Sequence, residues 1–309
     1  VLHRKQLRMN HTLLPSLRKY LGIFLAMILF SLTASGQYFG RNKPDYKNFR
    51  FRVYRTPHFE FYHYMKNDSL VKQVGVLAED WYNHHLKLFK DTFTTRNPII
   101  LYSNQADFQQ TTAISGDIGM GTGGVTEGLK NRIVMPFNES MGQTSHIIGH
   151  EMVHAFQYNL LLHSEDSRMR NLRNIPLWMI EGMAEYFSIG SEDPNTAMWM
   201  RDAVQQNDFP SLDDLTRSNK YFPYRYGQAF WAFIGKVWGD SVIVPLLDYT
   251  SKFGLEIACD SILKQKAVTV GNMWKSATYV HYRRFLTDSI ESPVGTKLLS
   301  EVNAGRNNL

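Results

Sequence analysis

An α+β fold is predicted for this chain, with a small mixed sheet and helices in the first half and helices alone in the second. Three observations lead there. The aromatic and β-branched runs FRVYRTPHFEFYHY and PIILYS lie before residue 140. From about residue 143 the apolar residues recur at helical spacing instead. The 309 residues are 43% hydrophobic and 20% charged, which supports a packed core and excludes a disordered chain. The organisation expected is a leader (1–36), an extended arm (37–50), an α/β subdomain with an edge strand (51–142), a helical subdomain (143–290) and a polar tail or linker (291–309).

The leader has the parts of a secretory signal peptide: a basic stretch ending at Lys19, the apolar run Leu21 to Leu32, and the small residues TASG, with cleavage expected after Ala34 or Gly36. Twelve apolar-rich positions fall short of the roughly 18–20 needed to span a bilayer, so no stable membrane span is expected after cleavage. The implied location is exported: periplasmic, cell-envelope or extracellular. The net charge of +6 also resides here, because Arg4, Lys5, Arg8, Arg18 and Lys19 precede residue 37 and no acidic residue does. The rest of the chain is near neutral, which removes the basis for a nucleic-acid partner. Cys259 is the single cysteine, so no intrachain disulfide can form, and its place in LEIACDSIL reads as a buried structural thiol.

After the polar, Pro- and Gly-bearing arm, strands are expected at Phe51 to Tyr54 and His58 to Tyr64. His58 and His63 are an odd number of residues apart and point to opposite faces of a strand, which makes them ordinary strand histidines. Residues 68–90 read as an amphipathic helix capped by Asp68, with Leu70, Val74, Leu77, Trp81 and Leu88 at its apolar positions. On it His84 and His85 diverge by about 100° and cannot readily share an ion. PIILYS is a strand. The long loop after it has four glycines between Gly119 and Gly124 but no GK[ST] and no strand-to-helix placement, so it is not a phosphate loop. Strands at Gly123 to Glu127 and Arg132 to Phe137 flank a turn at Gly128 to Asn131, and such an edge strand can bind an extended peptide by strand addition.

The next helix, about Gln143 to Leu162, contains HIIGHEMVHAFQY. His150 and His154 are four residues apart and share one face, with Glu151 beside them. Ile148, Met152, Ala155 and Phe156 form a core-facing stripe on the other side. Imidazole nitrogens suit Zn²⁺, and a carboxylate one residue on can take a proton from attacking water. A polar connection ending at Pro176 leads to LWMIEGMAEYFS, a helix expected to bury Trp178, Met179, Met183 and Phe187. Glu181 can complete a His₂Glu ligand set, and Glu185, one turn later, can accept the other ring N–H of a ligand histidine. Two carboxylates in such apolar company need partners. The remaining segments, Tyr226 to Val237, Val242 to Tyr249 and GNMWKSATYVHYRRFLTD, are helical, with His281 at an interface.

HEMVH followed by WMIEGMAEYF resembles the gluzincin branch of the MA clan of zinc metallopeptidases, whose pattern is HExxH and then a helix carrying E-G-x-x-E/D. The resemblance covers about residues 120–240 and implies a thermolysin/M1-like zincin catalytic domain with Zn²⁺ on His150, His154 and Glu181, Glu151 as general base and Glu185 behind the ligands. PYRYGQAFWAFIGKVWGD resembles the YxxG helix start of the aminopeptidase members, where a tyrosine donates to the oxyanion. That position falls on Tyr224 or Tyr226. The chain departs from those enzymes in two places. Thr126 stands where their G-x-M-E-N strand has the glutamate that binds a substrate amino terminus. The 26 residues between His154 and Glu181 imply a loop insertion near the cleft. The leader, the aromatic strands and HExxH together also resemble the amino-terminal part of exported bacterial proteins that continue into a TolB-like β-propeller. The function these features imply is a secreted zinc peptidase acting on a peptide or protein. The alternative is a non-catalytic zincin-fold binding or assembly module at the cell envelope.

Overall fold

The computed structural model describes residues 47–162, apart from 115 and 117, and residues 174–287, together with residues 20, 21 and 24. The rest of the expected signal peptide, the arm up to residue 46, residues 163–173 of the connection in which an insertion is expected, and the tail from 288 onward lie outside these residues.

The molecule is α+β: a five-stranded mixed sheet and, beyond it, helices. Strands β1 (Arg52–Arg55), β2 (Phe59–His63), β3 (Asn97–Tyr102), β4 (Val125–Glu127) and β5 (Arg132–Pro136) are ordered β1-β2-β3-β5-β4. β2, β3 and β5 run parallel, and the outer strands β1 and β4 are each antiparallel to their neighbour. Alternation along the strands divides the side chains between two faces. Phe59, Phe61, Ile99, Leu101, Ile133 and Met135 enter the main core, while Tyr102 and Val134 join Phe108 in a smaller cluster on the other side.

Helix α1 (Asp68–Phe89) begins one residue later than its cap: Asn67, not Asp68, accepts from the Ser69 amide. Its buried stripe is also turned from the one expected. Val71, Val74, Ala78, Tyr82, His85 and Phe89 face inward and Leu70 is exposed, because the rings of Tyr82 and Phe89 pack on Phe156. A single turn of helix, α2 (Gln105–Phe108), lies within the stretch expected to be loop, started by the Asn104 side chain accepting from the Asp107 amide.

Helix α3 (Met141–Leu162) buries Ile148, Met152, Ala155 and Phe156 completely. Helix α4 (Leu177–Ile189) is apolar nearly all round and buries Trp178, Met179, Met183 and Phe187. Helix α5 (Pro194–Gln205) has no counterpart among the expected elements, although its start is well marked: Asp193 accepts from the Thr196 amide and Pro194 occupies the first turn. Then come α6 (Leu212–Arg217), α7 (Pro223–Trp238), a 3₁₀ turn, α8 (Ile243–Phe253), α9 (Leu255–Ala258), which continues into a π turn, and α10 (Ala267–Thr287). Cys259 is buried in the π turn, and burial, aided by the charge of Glu256, pushes its thiol up to about 12, so it is an inert core group.

One crossing determines the rest of the site. A Cβ on Gly182 of α4 would lie 2.2 Å from the Gly227 carbonyl carbon of α7, and one on Gly227 would lie 2.0 Å from the Trp178 oxygen. The two backbones are therefore in contact, and only glycine permits it. The Trp231 indole donates to the Met179 carbonyl at 2.9 Å beside the crossing. Among the described residues no single helix is long and apolar enough to cross a membrane.

Candidate metal centre

Helix α3 presents His150 and His154 towards α4, and the approach of α4 brings Glu181 to them. The His150 Nε2 and His154 Nε2 atoms are 3.1 Å apart, and Glu181 Oε2 lies 3.3 Å from the first and 3.2 Å from the second. Tetrahedral Zn²⁺ with N and O donors at about 2.0–2.1 Å requires donors about 3.3–3.4 Å apart. The observed triangle matches that edge. Three atoms with lone pairs aimed at one point also repel unless a proton or a cation lies among them, so the donor set suits a divalent metal.

Each ligand candidate is held from behind. His154 Nδ1 is 2.9 Å from Gln157 Oε1, and the Gln157 amide nitrogen donates to the Ile180 carbonyl at 3.1 Å. That second bond orients the amide so that its oxygen accepts from Nδ1–H, which turns Nε2 to Glu181 and leaves it the atom that a metal, replacing any proton there, would take. His150 Nδ1 lies 3.1 Å from Glu185 Oε1, an ion-pair contact whose angle falls short of a well-aligned hydrogen bond. The other oxygen of Glu185 receives the Arg225 guanidinium at 2.9 Å, and Arg225 also reaches Asp193 at 3.2 Å. His146, one turn before His150, is 3.7 Å from Glu185.

These contacts set the charges. Burial opposes ionisation of Glu181, but its hydrogen bonds to His150 and His154 and their charges outweigh it and hold the carboxyl well below its usual range. Glu185 is likewise lowered against its burial, by His150 and then Arg225. Burial would keep His150 neutral, but the close carboxylates of Glu181 and Glu185 and the charge of Glu151 push it up to about 10 in the metal-free protein. A cation binding here replaces a proton.

Glu151 is buried on the next position of α3 and faces strand β4. The Thr126 hydroxyl lies 2.7 Å from Glu151 Oε2 and 2.9 Å from the Glu151 carbonyl oxygen. A Cβ on Gly124 would meet the Glu151 side chain at 2.9 Å, so this strand approaches the carboxylate as closely as a glycine backbone allows. Tyr224, in the first turn of α7, lies with its ring nearly parallel to that of His150, centroids 5.9 Å apart. Burial, then the charge of Glu181 and a hydrogen bond to it, then Glu151, raise the Tyr224 phenol far above its ordinary value.

Of the two tyrosines expected near the centre, the structure brings Tyr224 to it and places Tyr226 away from it. Two residues along a helix turn the side chain by about 200°. Tyr226 instead packs among Trp199, Phe209 and Tyr221. His58 pairs with Glu79 at 2.6 Å, His63 is buried, and neither approaches the centre. His85 is completely buried, and burial lowers it to about 3, so its neutral ring donates Nε2–H to the Gly149 carbonyl, next to His150 in α3. The sequence reading missed Gln157 and Arg225. Gln157 had a local signal, three residues after His154 on the same helix face, whereas Arg225 had none because its partners lie 40 and 32 residues away.

Two cavities, of about 1120 and 630 Å³, lie away from the centre, the larger among α4, α5, α7 and α10 and the smaller between α1 and the end of α4. Neither is lined by His150, His154 or Glu181. No protein-family model matches this chain, and no curated protein matches it.

Proposed function

We propose that this chain is an exported zinc peptidase with a thermolysin- or aminopeptidase-type zincin fold, hydrolysing peptide bonds. The observation that carries the reading is the convergence of His150 Nε2, His154 Nε2 and Glu181 Oε2 within 3.1–3.3 Å of one another, beside the Glu151 carboxylate. A zinc ion, which His150, His154 and Glu181 would hold, would supply Lewis acidity to a bound water and to a peptide carbonyl. Glu151 accepts the proton of the attacking water and passes it to the amine nitrogen as the C–N bond breaks. Thr126 keeps the Glu151 carboxylate turned to the strand side of the site. Tyr224, protonated at all working pH values, donates to the carbonyl oxygen as its negative charge develops.

Among the described residues strand β4 ends the sheet with one edge unpaired, which would suit pairing with an extended peptide beside Glu151. On this strand Thr126 carries no charge and Glu127 is paired with Arg132 and Lys130, which leaves no carboxylate to hold a free amino terminus. That favours cleavage within a chain. The basic-then-apolar leader supports export, and the near-neutral remainder supports a peptide or protein partner over nucleic acid.

The test compares the unaltered chain with Glu151→Gln on a quenched peptide library, with zinc content measured in both. The expected result is cleavage that a chelator abolishes and that Glu151→Gln lacks although its zinc is retained. Zinc bound in both and no turnover by the unaltered chain overturns the peptidase reading in favour of a non-catalytic zincin-fold module at the cell envelope.

A further inference from the structure

The His₂Glu pattern occurs twice, one helical turn apart. His146, His150 and His154 follow one another at four-residue intervals on one face of α3, and Glu181 and Glu185 do the same on α4. The first set takes the Nε2 side of the His150 ring. On its other side Nδ1 lies 3.1 Å from Glu185 Oε1, and His146 Nε2 lies 3.7 Å from Glu185 Oε1 as well. One donor atom from each of these three residues falls within 4.8 Å of the others. His146 Nε2 and His150 Nδ1 are both buried, yet among the described residues neither has a hydrogen-bond partner of adequate geometry. Such orphaned ring nitrogens are uncommon inside a folded protein, and an ion between them satisfies both. Glu185 supplies the negative charge: Arg225 occupies its Oε2 and shares its own charge with Asp193, which leaves Oε1 to the two histidines.

We propose that His146, His150 and Glu185 form a second cation site, for a divalent transition metal of the kind that imidazole binds well, with the His150 ring standing between the two ions. This rests on the metal centre of the reading above and goes beyond the hydrolysis assigned to it. When only the first ion is bound, His150 keeps its Nδ1–H towards Glu185. The second ion takes the place of that proton, which passes to water. Two imidazoles and one carboxylate suit Zn²⁺ and Cu²⁺ and disfavour Ca²⁺ and Mg²⁺, which prefer oxygen ligands. His146 is the loosest corner of the triangle, and its side chain, 32% exposed, has room to close on an ion. The second site is the weaker of the two, because His150 must give up its remaining ring proton and because Arg225 and the first ion repel another cation.

The test titrates zinc into the stripped full chain by calorimetry, with bound metal counted by elemental analysis, in the unaltered protein and in His146→Gln. Two zinc ions per chain are expected, in two steps. In His146→Gln the first step stays within about threefold, which also reports that the variant is folded, and the second weakens by at least about 10–100-fold, the loss caused by removing even an outer support of a ligand. His146→Glu, which offers a carboxylate oxygen at similar reach, is expected to recover the second step. A second step lost in His146→Gln and not recovered in His146→Glu marks a structural effect and overturns the ligand role. One ion per chain in the unaltered protein overturns the second site and leaves the first. Two ions in both the unaltered protein and His146→Gln put the second ion elsewhere and overturn it equally, as does displacement of the second zinc by calcium. Two ions bound with no cleavage of the quenched peptide library overturns the peptidase reading and leaves this site standing. No zinc bound by the unaltered chain overturns both.

Discussion

Replacing Gln157 by Leu isolates the part of the centre that lies outside the ligand triangle. Gln157 makes two hydrogen bonds, one to His154 Nδ1 at 2.9 Å and one to the Ile180 carbonyl at 3.1 Å, and its side chain is almost fully buried. Leu has a similar volume and can make neither bond. The His154 Nδ1–H is left without a buried partner, at about 1–3 kcal/mol, while the Ile180 carbonyl keeps its bond within the helix, so the metal-free protein is expected to lose about 1–3 kcal/mol in chemical denaturation. Zinc affinity falls separately, because the imidazole no longer has its proton directed to Nδ1 and presents Nε2–H to the metal part of the time. Loss of such a support typically weakens metal binding about 10–100-fold. Gln157→Glu separates the two effects. The carboxylate still accepts from Nδ1, so zinc affinity is expected to stay within about threefold. It cannot donate to the Ile180 carbonyl, so stability still drops. The assay is competition with a chromophoric chelator at fixed pH, paired with denaturation of the stripped protein. Zinc binding by Gln157→Leu as tight as that of the unaltered chain refutes the argument that Gln157 sets the His154 tautomer.

Two further outcomes follow from the same geometry. Tyr224→Phe should lower kcat about 10²–10³-fold with zinc content unchanged, while Tyr226→Phe leaves kcat near its original value, and equal losses in the two variants count against the assignment. His85 has its folded pKa depressed to about 3 by burial, so it is neutral in the folded protein and charges only on unfolding at acid pH. The stability this provides is present above about 6.5 and is lost as pH falls towards 3, which amounts to about 2 kcal/mol between pH 7 and pH 5. His85→Gln, which can still donate to the Gly149 carbonyl but does not titrate, should flatten the pH dependence of the denaturation free energy by that amount. Parallel curves for the two proteins would contradict the buried neutral ring.

Much of this protein was legible before any coordinates, and the boundary follows the range of the interactions. The α+β division could be read because strand and helix periods are local properties of ten or so residues. His150, Glu151 and His154 could be placed on one turn because a helix fixes the i and i+4 directions whatever surrounds it, and the same rule grouped Glu181 with Glu185. Where a helix turned its apolar face was less legible. The stripe of α1 departed from the expected one because the rings of Tyr82 and Phe89 meet Phe156, more than sixty residues away in sequence. Helix α5 carried clear start signals at Asp193 and Pro194 but weak apolar content, and it was missed.

What only the tertiary structure decided is how the local pieces meet. Nothing within α3 or α4 states that Glu181 reaches both histidines, because that depends on the approach of two helices joined by a long connection. The choice of Tyr224 over Tyr226 depends on the crossing of α4 and α7, which glycines 182 and 227 allow to close to backbone contact. That contact turns the first residues of α7 towards the His150, His154 and Glu181 cluster, bringing Tyr224 over His150 and Arg225 onto Glu185, and sends Tyr226 to the opposite side. The sequence by itself determined which side chains can do the chemistry, since donor type and helical spacing are written in the residues. The packing of α3, α4 and α7 decided which of them share one point in space, because close approach between distant segments depends on every side chain that lies between them.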